Sequence, residues 1–270
     1  MTLHRLLVVL PSALTAARLR RQVREALQAQ GFEVLLPRCR EPREISALIR
    51  AHSAVEALVT AADPETVSAV LTVWPSDRPW LLLPLGSDRQ LCEELQLWSN
   101  WQTAIAQLKQ ASISSITVGL VDDRPFLGSL KLGLSQPMAG LHQQWRQYPW
   151  QSEAVRAALK LSWLGQRFQV EGKTTSQQWS WRTTQLQIAC GRDRRFWLNH
   201  WETERSPRPG DPWPSPTRQQ VEAPLQIQAH PSQPLWYLGQ RLPDGPWHLQ
   251  HRPQSQVLFA PPAVNPKAVR

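Results

Sequence analysis

Residues 6–10 are five consecutive apolar residues, Leu-Leu-Val-Val-Leu, stopped by Pro11, and they open an alternation that constrains this chain more than any other feature. Five residues suit a buried strand and are too few for a core helix or a signal peptide. A helix is expected next, with Leu19, Val23, Ala26 and Leu27 on one face and Gly31 just past its end. Phe32 to Leu36 reads as a second strand, and Pro42 opens a helix carrying Ile45, Leu48 and Ile49. Ala57 to Thr60 is a third strand. Asp63-Pro64-Glu65 then makes a helix start: Asp to cap, Pro in the first turn, Glu beside the positive helix end. Trp80 to Leu85 is a fourth strand, followed by helices across Leu91 and Leu95 and from Trp101 to Gln110. Strand after helix after strand predicts a mostly parallel sheet with helices on both faces, an α/β nucleotide-binding-like domain over residues 1–113.

The pattern changes at about residue 114. Ile116 to Val121 and Phe126 to Leu134 flank Asp122-Asp123-Arg124-Pro125, a hairpin signature. One helix is expected over 152–164, with Val155, Leu159 and Trp163 on one face. Short alternating strands follow at Phe168–Val170, Trp179–Trp181, Leu186–Ile188, Leu225–Ile227, Leu235–Tyr237 and Val257–Phe259. They predict an antiparallel β-sandwich over 114–262. Arg205 to Arg218 holds five prolines and reads as an irregular loop, and 263–270 as a disordered tail.

Composition excludes several function classes. Hydrophobic residues are 41% of the 270, too many for a disordered chain. No apolar stretch approaches the roughly 18 residues of a membrane-spanning helix, so a cytoplasmic protein is expected, at most peripheral at a membrane. Cys39, Cys92 and Cys190 form no CxxC pair and read as buried free thiols. His248 and His251 are the one close histidine pair, and no Cys or carboxylate stands beside them in sequence to complete a metal site. No GxSxG, GxxxxGK[ST], HExxH or GxGxxG occurs.

Charge is uneven: residues 1–135 hold 14 Lys/Arg against 13 Asp/Glu, and residues 136–270 hold 16 against 8. Ten of the 14 tryptophans also fall in the second half. Arg192, Arg194 and Arg195 lie beside Phe196, Trp197 and Trp201, a combination that could pair phosphate contact with stacking on nucleic acid or with insertion at an anionic membrane surface.

Three strings then fall in order at suitable spacings: Leu83-Pro84-Leu85-Gly86, Val118 to Leu127 (VGLVDDRPFL), and Gln233 to Gly239 (QPLWYLG). Over about residues 3–262 the chain resembles the bacterial diacylglycerol kinase family, soluble lipid kinases that share their fold with NAD kinases. The resemblance implies a nucleotide between two domains, held by a Gly-Gly-Asp-Gly-Thr turn. The matching residues are Ala61-Ala62-Asp63-Pro64-Glu65, so only the aspartate survives. Glycine lets backbone approach phosphate because it lacks Cβ, and Pro64 also removes an N–H. The family's Leu-Pro-Leu-Gly is followed by Thr-Gly-Asn-Asp, here Ser87-Asp88-Arg89-Gln90; Asp63, Gly86 and Ser87 are the positions at which nucleotide contact would persist. Its first phosphate-side loop survives only as Pro11. Its Asp-Gly-Glu, implied to assist proton removal or hold metal, has become Leu238-Gly239-Gln240, with no basic oxygen left.

Phosphoryl transfer needs phosphate positioning and a charge-neutralising metal together. Losses at all four places predict a catalytically inactive, diacylglycerol-kinase-like protein that binds a lipid, a nucleotide or a protein partner. The alternatives are an active ATP-dependent lipid kinase with a divergent site, using Asp63, Ser87 and Mg-ATP, and a binder of anionic membrane or nucleic acid through the basic second half.

Overall fold

The computed structural model describes residues 4–11, 16–85, 89–133, 167–191, 195–201, 215–238 and 240–262. The helix expected over 152–164, most of the proline-rich loop, the tail beyond 262, Gly86, Ser87 and Gly239 lie outside them.

The first half alternates as its residues dictate: β1 (Arg5–Val9), α1 (Ala17–Ala29), β2 (Glu33–Leu35), α2 (Ile45–Ala51) after a 3₁₀ turn at Pro42–Glu44, β3 (Ala57–Ala61), α3 (Pro64–Val73), β4 (Trp80–Leu83), α4 (Arg89–Glu94) and α5 (Trp101–Ala106). Gly31 has φ +83°, the left-handed conformation that closes α1 and that glycine adopts without a Cβ clash. The helix expected up to Gln110 ends at Ala106 and continues as a 3₁₀ turn, Leu108–Gln110.

The second half adds β5 (Ser112–Ile116), β6 (Gly119–Val121), β7 (Arg124–Phe126), β8 (Ser129–Gly133), β9 (Phe168–Lys173), β10 (Gln178–Thr183), β11 (Gln185–Cys190), β12 (Arg195–His200), β13 (Thr217–Glu222), β14 (Leu225–His230), β15 (Leu235–Tyr237), β16 (Gln240–Arg241), β17 (Trp247–His251) and β18 (Gln256–Ala260). The hairpin expected over Asp122-Asp123-Arg124-Pro125 forms as a tighter two-residue turn: Asp122 and Asp123 have φ of 46° and 67°, both left-handed, and Arg124 and Pro125 already belong to β7. The strand expected from Phe126 to Leu134 is instead two strands, β7 and β8, with Gly128 at φ +76° between them.

The chain divides into two compact units. The first comprises the residues up to Val118, then Pro125–Gly128, then those from Arg252 on. Its sheet runs β2-β1-β3-β4-β18-β5; β1 to β4 are parallel, and β18 pairs parallel with β4 and antiparallel with β5. This corrects the placement of Val257–Phe259 in the sandwich and the unbroken 114–262 boundary: the chain returns to the first sheet at its end. A period-2 pattern marks a strand without naming its partner, and the partner is fixed by non-local contacts. Gln256, fully buried, donates through Nε2 to the carbonyls of Pro75 at 3.4 Å and Arg78 at 3.5 Å, and Val257 N–H donates to Ser76 O at 3.1 Å. Leu6, Val8 and Leu10, Val59, Leu81 and Leu83, Val23 and Leu27 of α1, Trp98 and Phe259 share one core.

The second unit holds residues 119–124 and 129–251, in two antiparallel sheets: β10-β9-β14-β17-β6 and β13-β12-β11-β8-β15-β16. Burial alternates along the strands, as in β9 and β12, so one face of each sheet is interior. Phe196 of β12 stacks on His251 of β17 at 4.0 Å and Trp181 of β10 on His200 of β12 at 4.2 Å, which brings the inner faces together as a sandwich.

Candidate functional site

In an open parallel sheet, ligands bind beyond the carboxyl ends of the strands where the order reverses. Here α1 carries the chain from β1 outward to β2, and α2 brings it back past β1 to β3, so the switch point lies between β1 and β3. Beyond those strand ends stand Leu10 and Pro11 on one side and Ala61, Ala62, Asp63 and Pro64 on the other, all buried.

The turn from β3 into α3 consumes its own hydrogen-bonding capacity. Ala62 N–H donates to Leu83 O at 3.1 Å. Pro64, the first helical residue, has no N–H. Thr66 N–H donates to Asp63 Oδ1 at 2.8 Å, an N-cap bond. A polyanion needs convergent backbone N–H groups at a helix start, and three of the positions that would supply them are held or missing. Ala61 belongs to the unit's core, and Ala62 is fully buried. Among the described residues this helix start offers a polyanion few free donors, and Asp63 serves as its cap.

Asp63 is only 6% exposed. Burial pushes its carboxyl pKa upward, opposed by the Thr66 hydrogen bonds and reinforced by the negative Glu65. The sign follows directly. A carboxyl raised above its unfolded value contributes stability that is fully present in acid, below the ordinary carboxylate range near pH 4, and is lost as pH rises through the folded value. Asp63→Asn keeps a capping oxygen and removes the charge. It is expected to melt above wild type at pH 7, with the difference shrinking towards pH 4. Asp63→Ala, without the cap, is expected to lose about 1 kcal/mol. Melting curves across that pH range check both; an Asn variant that melts lower at pH 7 would contradict the assignment.

Cys39 lies close enough for Asp63, Glu44 and Arg20 to bear on its ionisation. Burial first, then Glu44, pushes this thiol up to about 11, and its Sγ donates to Glu41 O at 3.4 Å. It is a packed thiol and not a nucleophile. Cys92 is buried, whereas Cys190 is partly exposed as a residue, with burial of its thiol still raising its pKa.

The second place implied by the resemblance is the turn from β15 to β16. Leu238 sits there at φ +45°, a left-handed conformation that costs a leucine about 1 kcal/mol or more and that Asp or Asn adopts readily. The backbone keeps a shape suited to aspartate while the side chain can neither take a proton nor bind metal. Gln240 continues the β15–β16 ladder opposite Tyr237.

A polar depression that sequence did not signal lies in the second unit, lined by Leu120, Asp122, Asp123, His248 and Gln250. Asp122 Oδ1 accepts the His248 backbone N–H at 2.9 Å and stands 3.5 Å from His248 Nδ1, both side chains being well exposed. His251, three residues along the same strand, points to the opposite face against Phe196, so the two histidines cannot share a metal. Among the described residues no three His, Cys, Asp or Glu side chains converge.

The aromatic and basic residues singled out around 195 are separated. Phe196 is fully buried, which removes it from any insertion surface. Trp197 lies on the outer face with the Arg218 guanidinium 3.8 Å from its ring centroid, and Arg195 bonds Gln220 at 3.2 Å. Trp201 is half-buried. Arg192 and Arg194 lie outside the described residues. No described helix is long and apolar enough to cross a membrane.

Neither a protein-family model nor a curated protein matches the sequence. Solved structures do match the fold. A protein from Bacillus anthracis str. Sterne assigned as a diacylglycerol kinase superposes with a TM-score of 0.70 at 10% identity, covering 98% of this chain and 100% of that one. Two further structures of diacylglycerol kinases from that organism give TM-scores of 0.69 and 0.71 at 9% identity, with 98% and 99% coverage. Parallel first sheet, antiparallel sandwich and returning last strand together give this chain the diacylglycerol-kinase-like fold, in a sequence that has diverged far from the solved examples.

Proposed function

We propose that this chain is a non-catalytic form of the lipid-kinase scaffold that acts by binding, its partner being an anionic lipid surface. The observation that carries the loss of catalysis is the self-capped start of α3, where Asp63, Pro64 and the Ala62–Leu83 bond leave a phosphate few donors. Leu238 and Gln240 agree, because neither offers a basic oxygen. The choice of lipid over nucleotide is supported by the outer face of the β13-β12-β11 sheet, where Arg195 and Arg218 are exposed and Trp197 is half-buried beneath the Arg218 guanidinium.

The purified protein is expected to show no melting shift with millimolar Mg-ATP, whereas a ligand at about 100 times its dissociation constant adds roughly 2.7 kcal/mol. It is also expected to transfer no phosphate from ATP to diacylglycerol in mixed micelles, and to float with vesicles containing an anionic lipid more than with neutral ones. ATP-dependent phosphorylation of the lipid would overturn the loss of catalysis; equal flotation would overturn the choice of partner.

A further inference from the structure

β10 is an edge strand of its sheet among the described strands, and its sequence, Gln178-Trp179-Ser180-Trp181-Arg182-Thr183, is poorly defended. Edge strands are usually blunted by proline, a bulge, an inward charge or short length. β10 has no proline, pairs with β9 in unbroken register over six residues, and carries one charge, Arg182, which points outward.

The direction of its free backbone groups can be deduced. Thr174 N–H donates to Gln177 O at 2.8 Å, so Thr174 and Gln177 are a hydrogen-bonded pair of the β9–β10 hairpin. Such pairs alternate along an antiparallel ladder. Trp179 opposite Gly172, Trp181 opposite Val170 and Thr183 opposite Phe168 therefore spend their N–H and C=O groups on β9. Those of Gln178, Ser180 and Arg182 point away from the sheet, and all three residues are exposed.

We propose that this edge is a homotypic interface: β10 pairs antiparallel with β10 of a second copy about a two-fold axis at Ser180. That register matches every constraint. It opposes Ser180 to Ser180 and Gln178 to Arg182 of the other copy, so each outward donor and acceptor meets its counterpart. No like charges stand opposite each other. The side-chain faces also agree, since residues directly opposite in an antiparallel pair lie on one face of the sheet. Trp179 then faces Trp181 of the second copy, and Trp181 its Trp179, at the closely spaced non-hydrogen-bonded positions where aromatic pairs interact. Both rings are half-buried and already mutually stacked, centroids 3.9 Å apart, with His200 beneath Trp181. The seam would cover an aromatic pair that is already stacked within each copy. One six-residue seam is small, so the dimer is weak, in the range of transient contacts.

Sedimentation of the full chain from about 5 to 500 µM is the test. Wild type is expected to pass from monomer to dimer across this range. Ser180→Lys places like charges face to face at the axis, leaves the backbone ladder with β9 in place while removing the bond from Gln169 Nε2 to Ser180 Oγ, and should raise the dissociation constant at least about tenfold. Ser180→Glu should do the same, and an equimolar mixture of the two variants should dimerise again. A wild type that stays monomeric throughout overturns the proposal, as would a partner of other sequence being required. A dimer indifferent to Ser180→Lys overturns it as well, because the copies then meet elsewhere. Circular dichroism matching wild type establishes that the variants are folded.

Discussion

Gly133→Ala is expected to destabilise the second unit by about 3 kcal/mol, close to the largest effect a single methyl group can have here. Two costs add at this position. Gly133 has φ +83°, which strains any residue with a Cβ, and a Cβ built there lies 2.6 Å from the Thr184 carbonyl oxygen and 2.8 Å from the buried Phe168 ring. A backbone carbonyl and a core ring cannot step aside cheaply. Gly172→Ala makes the informative contrast. Its Cβ would meet the Trp179 ring at 1.9 Å, a worse overlap on paper, but that ring is half-buried on an edge strand and can swing outward. The expected loss is about 1 kcal/mol, with collapse of the near-ultraviolet circular dichroism of the stacked tryptophans. Urea midpoints rank the two; Gly172→Ala costing more than Gly133→Ala would mean that β10 is held more rigidly than its exposure implies.

Trp80→Ala is expected to cost the first unit about 3–5 kcal/mol. Trp80 is fully buried on β4, in register with Leu58 of β3 and Leu258 of β18, and its Nε1 donates to Thr60 Oγ1 at 2.9 Å. Thr60, also fully buried, donates in turn to Ala61 O at 3.0 Å. This chain of bonds ties Trp80 to the end of β3, directly before the Asp63 cap. Trp80→Phe keeps most of the packing and removes the indole N–H, at an expected cost of about 1–2 kcal/mol. Equilibrium urea unfolding separates the variants; an alanine variant within about 1 kcal/mol of wild type would show that the indole is not a keystone of this sheet.

How much of this was legible in sequence follows from how local each decision is. Asp63 could be recognised as a cap because Asp, Pro and Glu at a helix start act on N–H groups within three residues of one another. Gly31 and the Asp122–Asp123 turn are equally local, since a left-handed backbone favours particular residue types whatever surrounds them. The expectation that the start of α3 no longer holds nucleotide came only from the family resemblance. What sequence could not show there was the positive reason: Ala62 N–H already bonded to Leu83 and the Asp63 carboxyl driven up by burial.

Other features had no local signal. His248 stood out beside His251 in sequence, yet strand geometry sends the two to opposite faces and seats His248 against Asp122, 126 residues away. Phe196 and Trp197 look alike in a string of aromatics and basic residues, and the pleat alone decides that one is core and the other lies under Arg218.

By itself, then, the sequence determined the alternation of elements and the caps and turns; the family's carboxylates and glycines are missed only when the sequence is set beside the resemblance. Only the tertiary structure decided that the last strand returns to the first sheet, that β10 stands at an edge with its tryptophans stacked, and that Leu238 holds an aspartate's backbone shape. Propensity and periodicity act over a few residues, whereas strand partners are chosen by burial and hydrogen bonding between segments far apart in the chain.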